Sequence, residues 1–174
     1  MPELFNLGDL RDPATPDAKL ALIDCRDWDN PRTYSHGEFE GQVSACARAL
    51  AGRGLVRGDR VAILSVNRAE VLVSYFAIMR AGFVAVPVNV KFPRETIAFL
   101  LEDSRSKLAF CDAACRILLP ADMRVVDFDR SNDGGFAHFL DPGSFETVRP
   151  AADETAMILY TSGSTGPKRR AVVA

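Results

Sequence analysis

The stretch Thr161-Ser-Gly-Ser-Thr-Gly-Pro-Lys168 has the residue types and spacing for gripping a polyanion. Gly163 and Gly166 lack a Cβ, so backbone there can approach an anion closely and adopt positive φ. The hydroxyls of Thr161, Ser162, Ser164 and Thr165 can donate to phosphate oxygens. Successive N–H groups of such a loop can form an anion-binding concavity, and Lys168 supplies a compact positive charge. The spacing differs from the G-x-x-x-x-G-K-[ST] phosphate loop, because two residues separate the glycines and a proline stands before the lysine. Taken alone, the same residues would also suit a Ser/Gly-rich turn that binds nothing.

The elements that must position this loop follow from hydrophobic periodicity. The run 155–160 reads as a strand leading straight into the loop. Further strands are expected at 20–26, 60–66, 83–88, 107–111 and 123–128, and helices at 36–52, 68–81 and 94–104. Ser35 and Glu38 have capping-box spacing, and Asn67 with Glu70 is expected to cap the second helix. FVAVPV at 83–88 is apolar enough for a strand buried on both faces, with Pro87 at its end. Strands alternating with helices over short loops predict an α/β fold, a parallel sheet with helices on both faces. Residues 129–152 read as an aperiodic surface connection, and Gly82 as a left-handed helix end.

Composition narrows the classes. The chain has 174 residues, a formal charge of −2 and ordinary globular hydrophobicity, which argues against nucleic acid as the main partner. No apolar run approaches membrane-spanning length, and the N-terminus lacks a signal-peptide core, so the expected location is cytoplasmic. Cys25, Cys46, Cys111 and Cys115 are scattered and read as buried or half-buried thiols; no metal ligand set and no catalytic residue is assigned. His36, in the capping turn, reads as exposed.

The run YTSGSTG followed by PK resembles the phosphate-loop signature of adenylate-forming, AMP-binding enzymes. A second block, residues 33–89, is similar to the region that family places upstream, with landmarks at Thr33-Tyr34, Gly54, Gly58-Asp59-Arg60-Val61, Asn67, Ala81-Gly82 and Pro87. Within the family, VPVN at 86–89 looks more like the acyl-CoA synthetase, or CoA ligase, branch, since peptide-synthetase adenylation domains usually have aspartate where Asn89 stands.

The resemblance implies a two-step reaction. A carboxylic acid attacks the α-phosphate of ATP, accompanied by Mg2+, to give acyl-adenylate and pyrophosphate; coenzyme A then displaces AMP. Thr161, Ser162, Gly163, Ser164, Thr165, Gly166 and Lys168 would hold the β- and γ-phosphates. Two departures stand out. The family loop usually has a residue between glycine and proline, where Gly166 meets Pro167 directly, and a glycine where Arg169 stands. Arg169 to Ala174 also look unlike the family continuation. The expectation is therefore that residues 1–174 form a partial N-terminal AMP-binding domain, a truncated lobe of the acyl-CoA synthetase large domain ending just after the loop at 161–168 and inactive alone. The alternatives are a non-enzymatic lobe that complements a missing part in trans, or an adenylation domain of another branch.

Overall fold

The computed structural model describes residues 5–9, 11–161 and the backbone of 169–173. The elements are β1 (Leu20–Asp24), β2 (Arg32–Ser35), α1 (His36–Ala51), β3 (Arg60–Leu64), α2 (Ala69–Arg80), β4 (Val84–Pro87), α3 (Arg94–Ser104) and β5 (Ser106–Cys111). A 3-10 turn (Arg116–Leu118), β6 (Val125–Asp127), α4 (Phe136–Phe139), β7 (Met157–Thr161) and β8 (Arg169–Val173) follow. The main sheet has strand order β6-β5-β3-β4-β7-β8. Its pairings are parallel from β6 through β7, and β8 closes the edge antiparallel to β7.

Helices cover both faces, as expected. One face buries Val43, Cys46 and Leu50 of α1 and Val73, Ala77 and Ile78 of α2 against Val61, Ile63, Ala85 and Phe110. The other buries Ile97, Leu100 and Leu101 of α3 against Ala62, Leu64, Val86, Ala109 and Ile158. Side chains alternate across a strand, so Val61 and Ile63 face one layer while Ala62 and Leu64 face the other. This is why β3 and β4 are almost wholly apolar. Pro87 is the last residue of β4.

The helix boundaries follow local chemistry. At α1, the Ser35 hydroxyl accepts from Glu38 N–H at 3.2 Å and the Glu38 carboxylate accepts from Ser35 N–H at 2.8 Å, completing the capping box. After α2, Gly82 takes φ +76°, the left-handed conformation its position predicted. His36 is half-buried rather than exposed, because Ala21, Leu22 and Phe76 share its cleft.

Three further expectations fail. The strand at 20–26 does not join the parallel sheet; β1 pairs antiparallel with β2 in a separate two-stranded sheet. Leu20, Ala21 and Ile23 are exposed, so this strand lacks the two buried faces that a place in the parallel sheet demands. Asn67 does not cap α2. The residue before the helix is Arg68, without a side-chain cap bond, and the carboxylate of Asp24, from the end of β1, accepts the Ala69 N–H at 3.0 Å. The connection after residue 129 is not wholly superficial, since α4 sends Phe136 and Phe139 into the core, edge-on to Phe110.

Candidate phosphate site at the carboxyl edge of the sheet

In open parallel sheets, ligands bind beyond the carboxyl ends of the strands, where successive crossovers leave for opposite faces. Here β3 continues into α2 on one face and β4 into α3 on the other. β7 lies parallel beside β4 and ends at Thr161, which is exposed. The sequence SGSTGPK therefore starts at the carboxyl edge of the sheet, beside the end of β4. Ser162, Gly163, Ser164, Thr165, Gly166 and Lys168 lie outside the described residues. Their flanks are fixed by pairing, since Thr161 stands opposite Arg169 in the β7–β8 ladder.

The rest of this edge is occupied by the protein's own polar groups. Past β5, Asp112 is buried and accepts from Ser65 Oγ at 2.9 Å, Val66 N–H at 3.0 Å and Cys115 N–H at 2.8 Å. Burial pushes its carboxyl up, but these donors outweigh burial and hold it below the ordinary aspartate range. Past β6, Asp129 accepts from Arg68 Nη1 at 2.6 Å and Ala113 N–H at 2.9 Å. Burial again opposes ionisation there and loses to the N–H of Ala113 and the guanidinium of Arg68. Arg68 also donates to Glu70 at 2.8 Å and lies over the Phe128 ring at 5.2 Å. The edge above β3, β5 and β6 is thus sealed by satisfied carboxylates, and the edge above β4 and β7 is where the hydroxyl-rich sequence emerges.

Asn89 follows β4 in a turn; its Oδ1 accepts from Lys91 N–H at 2.9 Å and its carbonyl from Phe92 N–H at 3.1 Å. An aspartate oxygen could accept the same Lys91 N–H. The turn is thus compatible with either residue, and the Asn89 signal weakens as a discriminator between branches.

Cys46, Cys111 and Cys115 are buried and Cys25 half-buried, all as free thiols. Burial pushes the Cys111 and Cys115 thiols up to about 12. Among the described residues, no group of three or more His, Cys, Asp or Glu side chains is placed to hold a metal ion, and no helix is long and apolar enough to cross a membrane. Several clefts lie away from the carboxyl end of β7, such as one lined by Asn6, Met79, Phe83 and Thr155 at the opposite, amino edge.

Two contacts on the strand before the loop were not readable from the sequence. Tyr160, immediately before Thr161, donates its hydroxyl to Asp103 of α3 at 2.5 Å. On the opposite face, Tyr75 of α2 donates to the Met157 sulfur at 2.7 Å. These partners are 57 and 82 residues apart, so no local pattern could have linked them.

Comparison with known proteins bears on family and fold. The family model described as AMP-binding enzyme matches residues 11–173, a span that includes the Arg169–Val173 strand that had looked unlike the family. The crystal structure of ATP bound MatB from Rhodopseudomonas palustris superposes with a TM-score of 0.80 at 29% identity, covering 97% of this chain and 33% of that one. The N-terminal domain of FACL13 from Mycobacterium tuberculosis gives a TM-score of 0.71 at 27% identity, over 82% of this chain and 37% of that one. In sequence, the 3-hydroxybenzoate--CoA/4-hydroxybenzoate--CoA ligase of Thauera aromatica is 30% identical over 149 residues, 78% of this chain and 28% of that protein. Bacitracin synthase 1 of Bacillus licheniformis is 30% identical over 132 residues, 76% of this chain and 2% of that protein. The chain spans well under half the length of each of these relatives.

Proposed function

This chain belongs to the AMP-binding enzyme family, and we propose that it supplies the ATP-phosphate-gripping lobe of an acyl-CoA synthetase, an AMP-forming acid–thiol ligase. The observation that carries the reading is the placement of β7. A parallel strand beside the sheet's crossover point ends at Thr161, directly before Ser162-Gly-Ser-Thr-Gly-Pro-Lys168.

On this reading, the hydroxyls of Thr161, Ser162, Ser164 and Thr165, the N–H groups around Gly163 and Gly166, and Lys168 hold the β- and γ-phosphates of ATP. Their work is orientation of the leaving pyrophosphate and neutralisation of its charge, the terms that dominate where little covalent chemistry falls to the protein. Magnesium bound to ATP would screen the phosphate charges; the described residues present no ligand set for it, so no step is assigned through the ion. The adenine, carboxylic acid and coenzyme A sites are assigned to parts of the family fold beyond this lobe. The lobe is inactive by itself and is expected to work in the cytoplasm.

Adenylation of another carboxylic acid class, as in peptide synthetases, is the second reading; the equal identity to bacitracin synthase 1 and to the hydroxybenzoate ligase supports it. The two readings share the phosphate step and differ in the thiol acceptor. Titration of the 174-residue chain with ATP, pyrophosphate and AMP tests the shared step. ATP and pyrophosphate should compete for one site while AMP, which lacks β- and γ-phosphates, competes poorly. Equal competition by AMP would contradict the assignment of the loop to those phosphates.

A further inference from the structure

β7 is held to the parallel sheet by little backbone. Among the described residues, its one pairing with β4 is Ala85 with Met157, and Ala85 N–H donates to Ala156 O at 3.0 Å. With β8, by contrast, it pairs over its whole length, from Met157 opposite Val173 to Thr161 opposite Arg169. The β7–β8 ladder is therefore one unit, joined to the sheet at its amino end.

Two side-chain grips supply what the backbone does not. Alternate residues of β7 point to opposite faces, and each face has its own helix. On the α2 face, the Tyr75 hydroxyl donates to Met157 Sδ at 2.7 Å. On the α3 face, Ile158 is buried against the helix layer and the Tyr160 hydroxyl donates to Asp103 Oδ2 at 2.5 Å. A bond to an ionised carboxylate is short and strong compared with a neutral one. It acts on the residue that immediately precedes the proposed loop.

We propose that Asp103 is a remote positioning residue for the phosphate loop: by holding Tyr160 against α3, with Tyr75 steadying Met157 from the other face, it fixes where β7 ends and so where Thr161 presents the loop. The proposal rests on the reading of residues 161–168 as the phosphate loop. Asp103 touches no ligand in it and acts only through β7. A strand held by one backbone pairing can tilt about that pairing, and the grip near its far end removes the freedom.

The test measures two quantities on the 174-residue chain: amide hydrogen exchange over 157–161, and the dissociation constant for ATP. Asp103→Ala and Tyr160→Phe should each speed exchange in β7 and weaken ATP binding by about 5-fold or more, the lower end of common coupling between sites. The pair combined should be no worse than either alone, because both remove the same bond. Asp103→Asn keeps an acceptor oxygen but loses the charge, and should fall between the parent and Asp103→Ala in both readouts. The urea midpoint, followed in parallel, separates this effect from general destabilisation. Unchanged ATP affinity alongside faster β7 exchange would overturn the positioning role. Unchanged exchange, or an Asp103→Asn variant as weak as Asp103→Ala, would overturn the grip itself. If the parent chain fails to bind ATP, the phosphate-loop reading falls and takes the positioning role with it, while exchange still decides whether the grip exists.

Discussion

Replacing Gly82 by alanine probes the joint between α2 and β4. Gly82 has φ +76°, and a Cβ there would stand 2.9 Å from Cγ1 and 3.3 Å from Cβ of Val148. Two costs add. The left-handed backbone disfavours a side chain by roughly 1–2 kcal/mol. Crowding against a short branched side chain that cannot swing far away adds about 1–3 kcal/mol. The residue is also tied on both sides, since its N–H donates to Met79 O at 3.0 Å and its carbonyl accepts from Gly58 N–H at 2.9 Å, so the backbone cannot relax without disturbing the turn that launches β3. At about 2–4 °C per kcal/mol for a chain of this size, Gly82→Ala should lower Tm by roughly 5–15 °C. Thermal unfolding followed by circular dichroism is the assay. A Val148→Ala background should remove much of the crowding and leave the roughly 1–2 kcal/mol backbone term. A Tm within about 1 °C of the parent, well inside the roughly 2–4 °C equivalent of 1 kcal/mol, would refute the reasoning.

The acidic groups predict pH dependence. Asp24, Asp112 and Asp129 have folded pKa values below their ordinary ones: burial opposes ionisation in each, and N–H donors with nearby guanidinium or hydroxyl groups prevail. Their stabilisation is present above the unfolded carboxylate pKa of about 4 and is lost as pH falls through the lower folded values. The urea midpoint should thus drop steeply below about pH 4, less so in Asp112→Asn; a flat profile from about pH 5 to 3, or the same slope in the variant, would count against this. Of the four thiols, Cys46 and Cys111 are fully buried, Cys115 is 5% exposed and Cys25 is half-buried. A thiol reagent should accordingly label Cys25 first in the native chain and the other three only on unfolding, whereas early labelling of Cys111 would contradict the burial. In a pyrophosphate-release and thioester assay with short, long and aromatic acids, the 174-residue chain should show no turnover, because one phosphate loop supplies only part of the transition-state stabilisation. Robust turnover abolished by Lys168→Ala would overturn that expectation.

Much of the fold was legible because period and punctuation agreed. The Ser35/Glu38 box, Gly82 and the apolar 83–88 run each place a boundary by local chemistry, and the structure keeps each one. What sequence could not show was long-range. Asp24 caps α2 from 45 residues away, against the local claim of Asn67. LALIDC is apolar enough for a core strand, yet its place was decided by antiparallel pairing with the nearby Arg32–Ser35. Phe136 and Phe139 lie in a run without period, and their burial comes from aromatic packing on Phe110. At the site, residue types and order point to a loop from Thr161 onward, most of which lies outside the described residues, whereas the grips on β7 depend on helices that only the fold brings together.

The central claim is that the residues from Thr161 to Lys168 hold the phosphates of ATP. The dissociation constant of ATP, compared between the parent chain and Lys168→Ala by titration calorimetry, tests it most directly. Loss of a charge-assisted contact to phosphate should weaken binding by roughly 10-fold or more, with the urea midpoint unchanged. An unaltered dissociation constant in Lys168→Ala would contradict the account.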